Sequence, residues 1–225
     1  MTRLHTIVAA LDFSPGSATA LVCAADLARR TGADLHLLHA DVLFRSSGDG
    51  APPDDAPSSA LRLRTERFAA AALGLSPAAF DALAPTVAVV REISPSAAIL
   101  RYLADTQADL LVLGTHGRSG IARLLLGSVA EACVRAAACP VLTVPERAGE
   151  RVPAPGAPVL IPIDFSGRSP AALEAGRALA DLFGAPYELV HVVRDAGPYP
   201  AFAPDLLSLV DVDPDQAEAV RVRLG

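Results

Sequence analysis

The sequence predicts an α/β fold: an open, mostly parallel five-stranded sheet with helices on both faces, followed by a half-length second copy. Three observations carry this. Short continuous apolar runs alternate with helix-patterned segments from Ile7 to Val144, the pattern of strands buried on both faces and joined by crossover helices. Of 225 residues, 52% are hydrophobic and 20% charged, which supplies a sizeable core and is far from a disordered composition. The third is an internal repeat, sought first because missing one misassigns the whole fold. Asp12-Phe13-Ser14 recurs as Asp164-Phe165-Ser166, 152 residues later. The same offset matches Ser17, Ala20-Leu21, Leu27-Ala28, Gly32-Ala33, Leu37 and His39 with identical residues, giving twelve identities in 29 positions without a gap.

The elements follow in order. Ile7 to Leu11 is a buried strand, and Ser14-Pro15 opens a helix to about Arg30 with Gly32 just past its end. Leu35 to Ala40 is the next strand. Residues 46–59 lack any apolar period and contain three prolines, so a mobile loop is expected there. A helix runs from about Ala60 to Leu73, and Ser76-Pro77 opens a short one. Val87 to Val90 is a strand, Ser94-Pro95 starts a helix to about Thr106, and Leu110 to Leu113 is the fourth strand. Ser128 starts a helix to about Ala137, before a last strand from Val141 to Val144. The Pro-, Gly- and charge-rich stretch from Glu146 to Pro158 reads as a linker. The organisation is therefore a first module over 1–146, a linker over 147–157 and a partial second module over 158–225.

Composition excludes whole classes of function. Formal charge is −6 with no basic run, so nucleic acid and membrane surfaces are not expected partners. All nineteen basic residues are arginine, which removes Schiff bases, the P-loop lysine and the lysine-bearing signatures of kinases and β-lactamases. Cys23, Cys133 and Cys139 form no C-x-x-C pair and read as buried small apolar residues in a reducing compartment. The uninterrupted apolar run before Asp12 is only five residues, too few for a signal peptide, and no run approaches the roughly 18 needed to span a bilayer. A cytoplasmic protein is expected.

Ligands of parallel α/β sheets sit beyond the carboxyl ends of the strands, where strand order reverses. Asp12, Ala40 and Gly114 are expected at such ends. After the fourth strand, Gly114 and Gly117 allow positive φ and close backbone approach, and Gly127-Ser128 presents amides and a hydroxyl at a helix N-terminus, where the macrodipole favours an anion. Together they form a phosphate cradle that needs no lysine. Arg118 adds a guanidinium suited to phosphate oxygens. Other uses stay open: Asp12 as a cap of the first helix, His39 as a packed residue, and His116 as a phosphate contact or a solvent-facing side chain. No spacing of His, Asp or Glu suggests a metal site within the protein.

Gly114-x2-Gly117-x9-Gly127-Ser128 resembles the G-x2-G-x9-G-S/T nucleotide signature of universal stress proteins. Leu110 to Leu113 before it, Ser128-Val129-Ala130-Glu131 after it and Cys139-Pro140-Val141 beyond match the family too, as do Asp12-Phe13-Ser14 and His39-Ala40. The resemblance implies a Rossmann-like, adenine nucleotide alpha hydrolase-like fold that binds ATP, or AMP or ADP, usually with Mg²⁺. By the same resemblance Asp12 reaches the ribose and adenine end, Ala40 offers backbone hydrogen bonds to adenine, and Ala10 and Leu113 line the adenosine pocket. Gly114 approaches the ribose, while Thr115, His116, Gly117, Arg118, Gly127, Ser128 and Val129 surround the phosphates. It further implies a homodimer through Val141 to Val144 and a stress-response sensor or adaptor, with at most slow hydrolysis. No nucleophile with an adjacent base is evident, and Ser128 reads as a helix cap and phosphate donor. A nucleotide-free scaffold of the same family and an ATP-pyrophosphatase relative are the alternatives. The half module keeps Pro162, Asp164 and Val192 in place of Ala10, Asp12 and Ala40, but has no glycine loop and needs cover for Tyr187, Leu189, Val190 and Val192.

Overall fold

The computed structural model describes residues 4–42, 58–115, 126–146 and 156–192. Contacts divide the chain into two compact units, Thr2–Ala154 and Pro155–Gly225.

The first unit holds strands β1 (Thr6–Leu11), β2 (Asp34–Val42), β3 (Thr86–Glu92), β4 (Leu110–Gly114) and β5 (Val141–Val144). All pair in parallel, in the order β3-β2-β1-β4-β5. The chain builds from β1 to one side, then crosses to the other, and that reversal opens a crevice beyond the carboxyl ends of β1 and β4. Helices α1 (Pro15–Thr31) and α2 (Ser58–Leu73) pack together, as do α4 (Pro95–Thr106) and α5 (Ser128–Ala136), with the short α3 (Pro77–Leu83) after α2. Alternate strand residues serve the two faces. Val8, Leu38, Leu111 and Leu113 join Ile99 and Leu103 of α4 and Ala130 and Cys133 of α5 in one core.

Helix α1 starts where its sequence requires. The Ser14 hydroxyl caps the Ser17 amide, Pro15 fills the first turn, and Gly32 closes the other end at φ 71°.

Two strands run longer than expected: β2 reaches Val42 and β3 reaches Glu92. The reason is a cross-strand pair. Asp41 opposes Arg91 in the register, and their side chains meet at 2.7 Å, which lets charged residues continue a buried strand. Ala40 consequently lies inside β2, opposite Val90, and not at the strand end where it was expected. Helix α2 begins at Ser58, two residues early; the rest of the expected loop, to residue 57, lies outside the described residues.

In the second unit β6 (Val159–Pro162) and β7 (Tyr187–Val190) pair in parallel and α6 (Ser169–Phe183) connects them. Gly176 lets α6 lie on β6, because a Cβ there would sit 2.5 Å from Ile161. Leu160, Tyr187, Val190 and Val192 are exposed.

Candidate functional site

Asp12 follows directly on β1. Its Oδ1 accepts from the Ser14 amide at 3.0 Å and the Ser14 hydroxyl at 2.5 Å. This tight turn places Phe13 in the left-handed region at φ 66°, which is uncommon for a bulky residue. The Phe13 ring lies against His39 (centroids 4.3 Å apart), meets Phe68 edge-on at 5.4 Å and carries the Arg64 guanidinium 4.3 Å above its centre. His39 is buried and its Nδ1 is 2.8 Å from the Leu11 carbonyl. A carbonyl only accepts, so Nδ1 carries the proton and the imidazole braces the end of β1. This agrees with reading His39 as a packed, orienting residue.

The opposite wall forms on the α4/α5 face. Ala10, Leu113 and Val129 share one apolar cluster, with Ala10, Val129 and the neighbouring Leu126 only partly buried. The glycine loop leaves from the end of β4. The Thr115 amide donates to the Val144 carbonyl at 3.0 Å, and the Gly127 amide donates to the Thr115 carbonyl at 2.8 Å. Both ends of the loop are thus tied together at the rim of the crevice. His116, Gly117 and Arg118, three of the expected phosphate contacts, lie outside the described residues.

Two expected roles change. Gly114 does not take positive φ; it is small because β4 abuts the first turn of α1. A Cβ on Gly114 would lie 3.0 Å from the Gly16 carbonyl carbon, 3.1 Å from its oxygen and 3.3 Å from the Ser17 nitrogen. Ser128 is not the cap of α5. Gly127 is, and it brings no side-chain acceptor. Ser128 is the first helical residue, and the first intrahelical bond runs from the Glu131 amide to the Gly127 carbonyl at 2.9 Å. The amides of Ser128, Val129 and Ala130 therefore have no intrahelical partner and lie at the positive end of the helix.

Sequence reasoning missed Ser14 and Gly16. Ser14 ties Asp12 to α1, and Gly16 accepts Gly114. The visible signal was the spacing Asp-x-Ser-Pro-Gly, which puts a hydroxyl and a side-chain-free position directly after the acid. Among the described residues no three His, Cys, Asp or Glu side chains gather in a metal-binding arrangement. Among them, too, no helix is long and apolar enough to cross a membrane.

The family model of the universal stress proteins matches residues 3–145, well over half of the chain. The chain belongs to the universal stress protein family. A universal stress protein of Mycolicibacterium smegmatis is 33% identical over 147 residues, covering 63% of this chain and 46% of the relative. The chain spans less than half the length of the first curated relatives it matches. A universal stress protein crystal structure from Archaeoglobus fulgidus superposes with a TM-score of 0.58 at 18% identity, over 97% of this chain and 71% of that one, a likeness of fold alone. A universal stress protein crystallised in complex with cAMP is 27% identical and aligns over 65% of this chain and all of its own, with a TM-score of 0.46. In this family member the matched segment contains every expected site residue, from Ala10 to Val129.

Proposed function

We propose that this universal stress protein binds ATP, with AMP and ADP as related ligands, and works as a nucleotide-dependent sensor or adaptor in a cytoplasmic stress response. The observation that carries the reading is the tied loop. Thr115 and Gly127 hold its ends together, the uncapped first turn of α5 presents its amides there, and Gly114 sets the loop's start against the turn of α1 that follows Asp12. Adenosine lies along Ala10, Ala40 and Leu113 with Asp12 at its ribose. The phosphates lie on Thr115 to Arg118 and on Gly127, Ser128 and Val129. Magnesium would enter with the phosphates, keeping its waters and phosphate oxygens as ligands. The ion would neutralise phosphate charge.

The second unit is read as a half-length copy of the first. It repeats the Asp-Phe-Ser turn with Phe165 at φ 59°, and His191 Nδ1 reaches the Ile163 carbonyl at 2.6 Å as His39 reaches Leu11. Subunits pair through β5, an outer strand of the sheet. The test is calorimetric titration of ATP into the wild type and Gly117→Asp. Binding that is lost on substitution, with phosphate release far below about one per second, supports a sensor. Absence of binding in both makes the protein a scaffold, and turnover at ordinary enzyme rates makes it an enzyme.

A further inference from the structure

We infer that Ser14 is a positioning residue of the nucleotide site, aiming the Asp12 carboxylate while fixing the start of α1; the inference rests on the nucleotide reading above. Ser14 is buried at 6% exposure and uses its polar groups in two directions. Its hydroxyl proton and its amide both go to one oxygen, Oδ1 of Asp12. The hydroxyl oxygen then accepts from the Ser17 amide at 3.2 Å, and the Ser14 carbonyl accepts from the Ser17 hydroxyl at 2.9 Å. With both Ser14 donors on Oδ1, the carboxylate is held in one rotation. The same turn of helix meets Gly114 through Gly16 and Ser17. One turn of α1 therefore registers the acid of the site against the glycine loop.

The second unit shows that the letters Asp-Phe-Ser alone do not produce this link. There Asp164 Oδ1 accepts from the Ser166 amide at 2.9 Å and the Ser169 hydroxyl at 2.8 Å, and the Ser166 side chain also hydrogen-bonds to this carboxylate. The Ser166 hydroxyl oxygen accepts from the Arg168 amide, which lies at the N-cap of α6, and that cap carries no side-chain hydrogen bond. The carboxylate there is not joined through the hydroxyl of an N-cap residue to the first turn of the helix.

Calorimetric ATP affinities of the full chain test the inference, using the wild type, Ser14→Ala, Ser14→Gly, Ser14→Thr and Asp12→Ala, with Ser14→Gly also combined with Asp12→Ala. Glycine is tolerated at an N-cap nearly as well as serine and keeps the amide donor, so Ser14→Gly folds even where Ser14→Ala does not. Ser14→Gly should bind ATP roughly tenfold more weakly, as expected for losing a hydrogen bond to a charged group, while Ser14→Thr restores wild-type affinity within about threefold. In the Asp12→Ala background the same substitution should cost nothing further, because its effect passes through that carboxylate. Wild-type affinity in Ser14→Gly, or an undiminished loss in the Asp12→Ala background, overturns the positioning role and leaves nucleotide binding standing. Failure of the wild type to bind ATP overturns both.

Discussion

Gly114→Ala probes the packing that joins the two halves of the crevice. The added Cβ would meet three backbone atoms at 3.0, 3.1 and 3.3 Å, against an ordinary contact distance of 3.4–4 Å. Something must retreat by a few tenths of an ångström. Gly16 has little room to do so: Pro15 fixes the preceding φ, Ser14 caps the helix, and Ala20 and Leu21 one turn on are fully buried. Overpacking of this kind costs about 1–3 kcal/mol, offset by about 0.4–1 kcal/mol from the stiffer unfolded chain. The net loss is about 1–2 kcal/mol, or a fall in Tm of about 2–8 °C for a unit of this size. Urea unfolding followed by circular dichroism reads it as a lower midpoint at unchanged slope. A midpoint equal to or above that of the wild type would refute the claim that β4 and α1 are in tight contact. The same substitution should weaken ATP binding, because the retreat displaces the start of the loop relative to Asp12.

Arg91→Ala leaves the Asp41 carboxylate, whose side chain is 8% exposed, without its 2.7 Å partner. Since Arg91 itself is half exposed, the expected loss is about 1–2 kcal/mol in urea unfolding, and Asp41→Asn in the same background should recover part of it. Burial pushes the Cys23 and Cys133 thiols up to about 11. A folded-state pKa above the unfolded one gives stability that is complete below about pH 9 and is lost as pH rises towards 11. Without a lysine in the chain, that alkaline fall comes from thiols and tyrosines, Tyr102 among them, since burial raises it too. Urea midpoints at pH 8 and pH 10.5 should differ by on the order of 2 kcal/mol, and the difference should shrink in a Cys23→Ala, Cys133→Ala double variant; equal midpoints contradict the burial argument.

The five strands and their parallel arrangement were legible because a strand buried on both faces has a nearly uninterrupted apolar run, as Ile7 to Leu11 does. Their ends were not. Asp41 and Arg91 read singly as polar stops, and only their pairing across neighbouring strands lets both strands continue. In the candidate site, the acid and the glycines were visible from spacing, but their roles were not. Gly114 looked like a conformational glycine; its actual constraint is Gly16, nearly a hundred residues earlier, which no local pattern carries. Ser14 read as a cap alone, because a hydroxyl's second partner is chosen by the turn at Phe13. The cap of α5 fell one residue earlier than expected, since glycine, though a weaker signal than serine, also serves there.

β1 precedes the other four strands of its sheet in the chain, yet it ends in the middle of that sheet. One of its sides is served early by β2, while Ile7 to Ala9 must wait for Leu110 to Val112, about a hundred residues later, to satisfy the other. Such a long-separated parallel pairing makes for slow folding and leaves an open, apolar edge on β1 until β4 has been made. The cleft between β1 and β4 closes only when that pairing forms, so the candidate site is assembled after the apolar edge is covered.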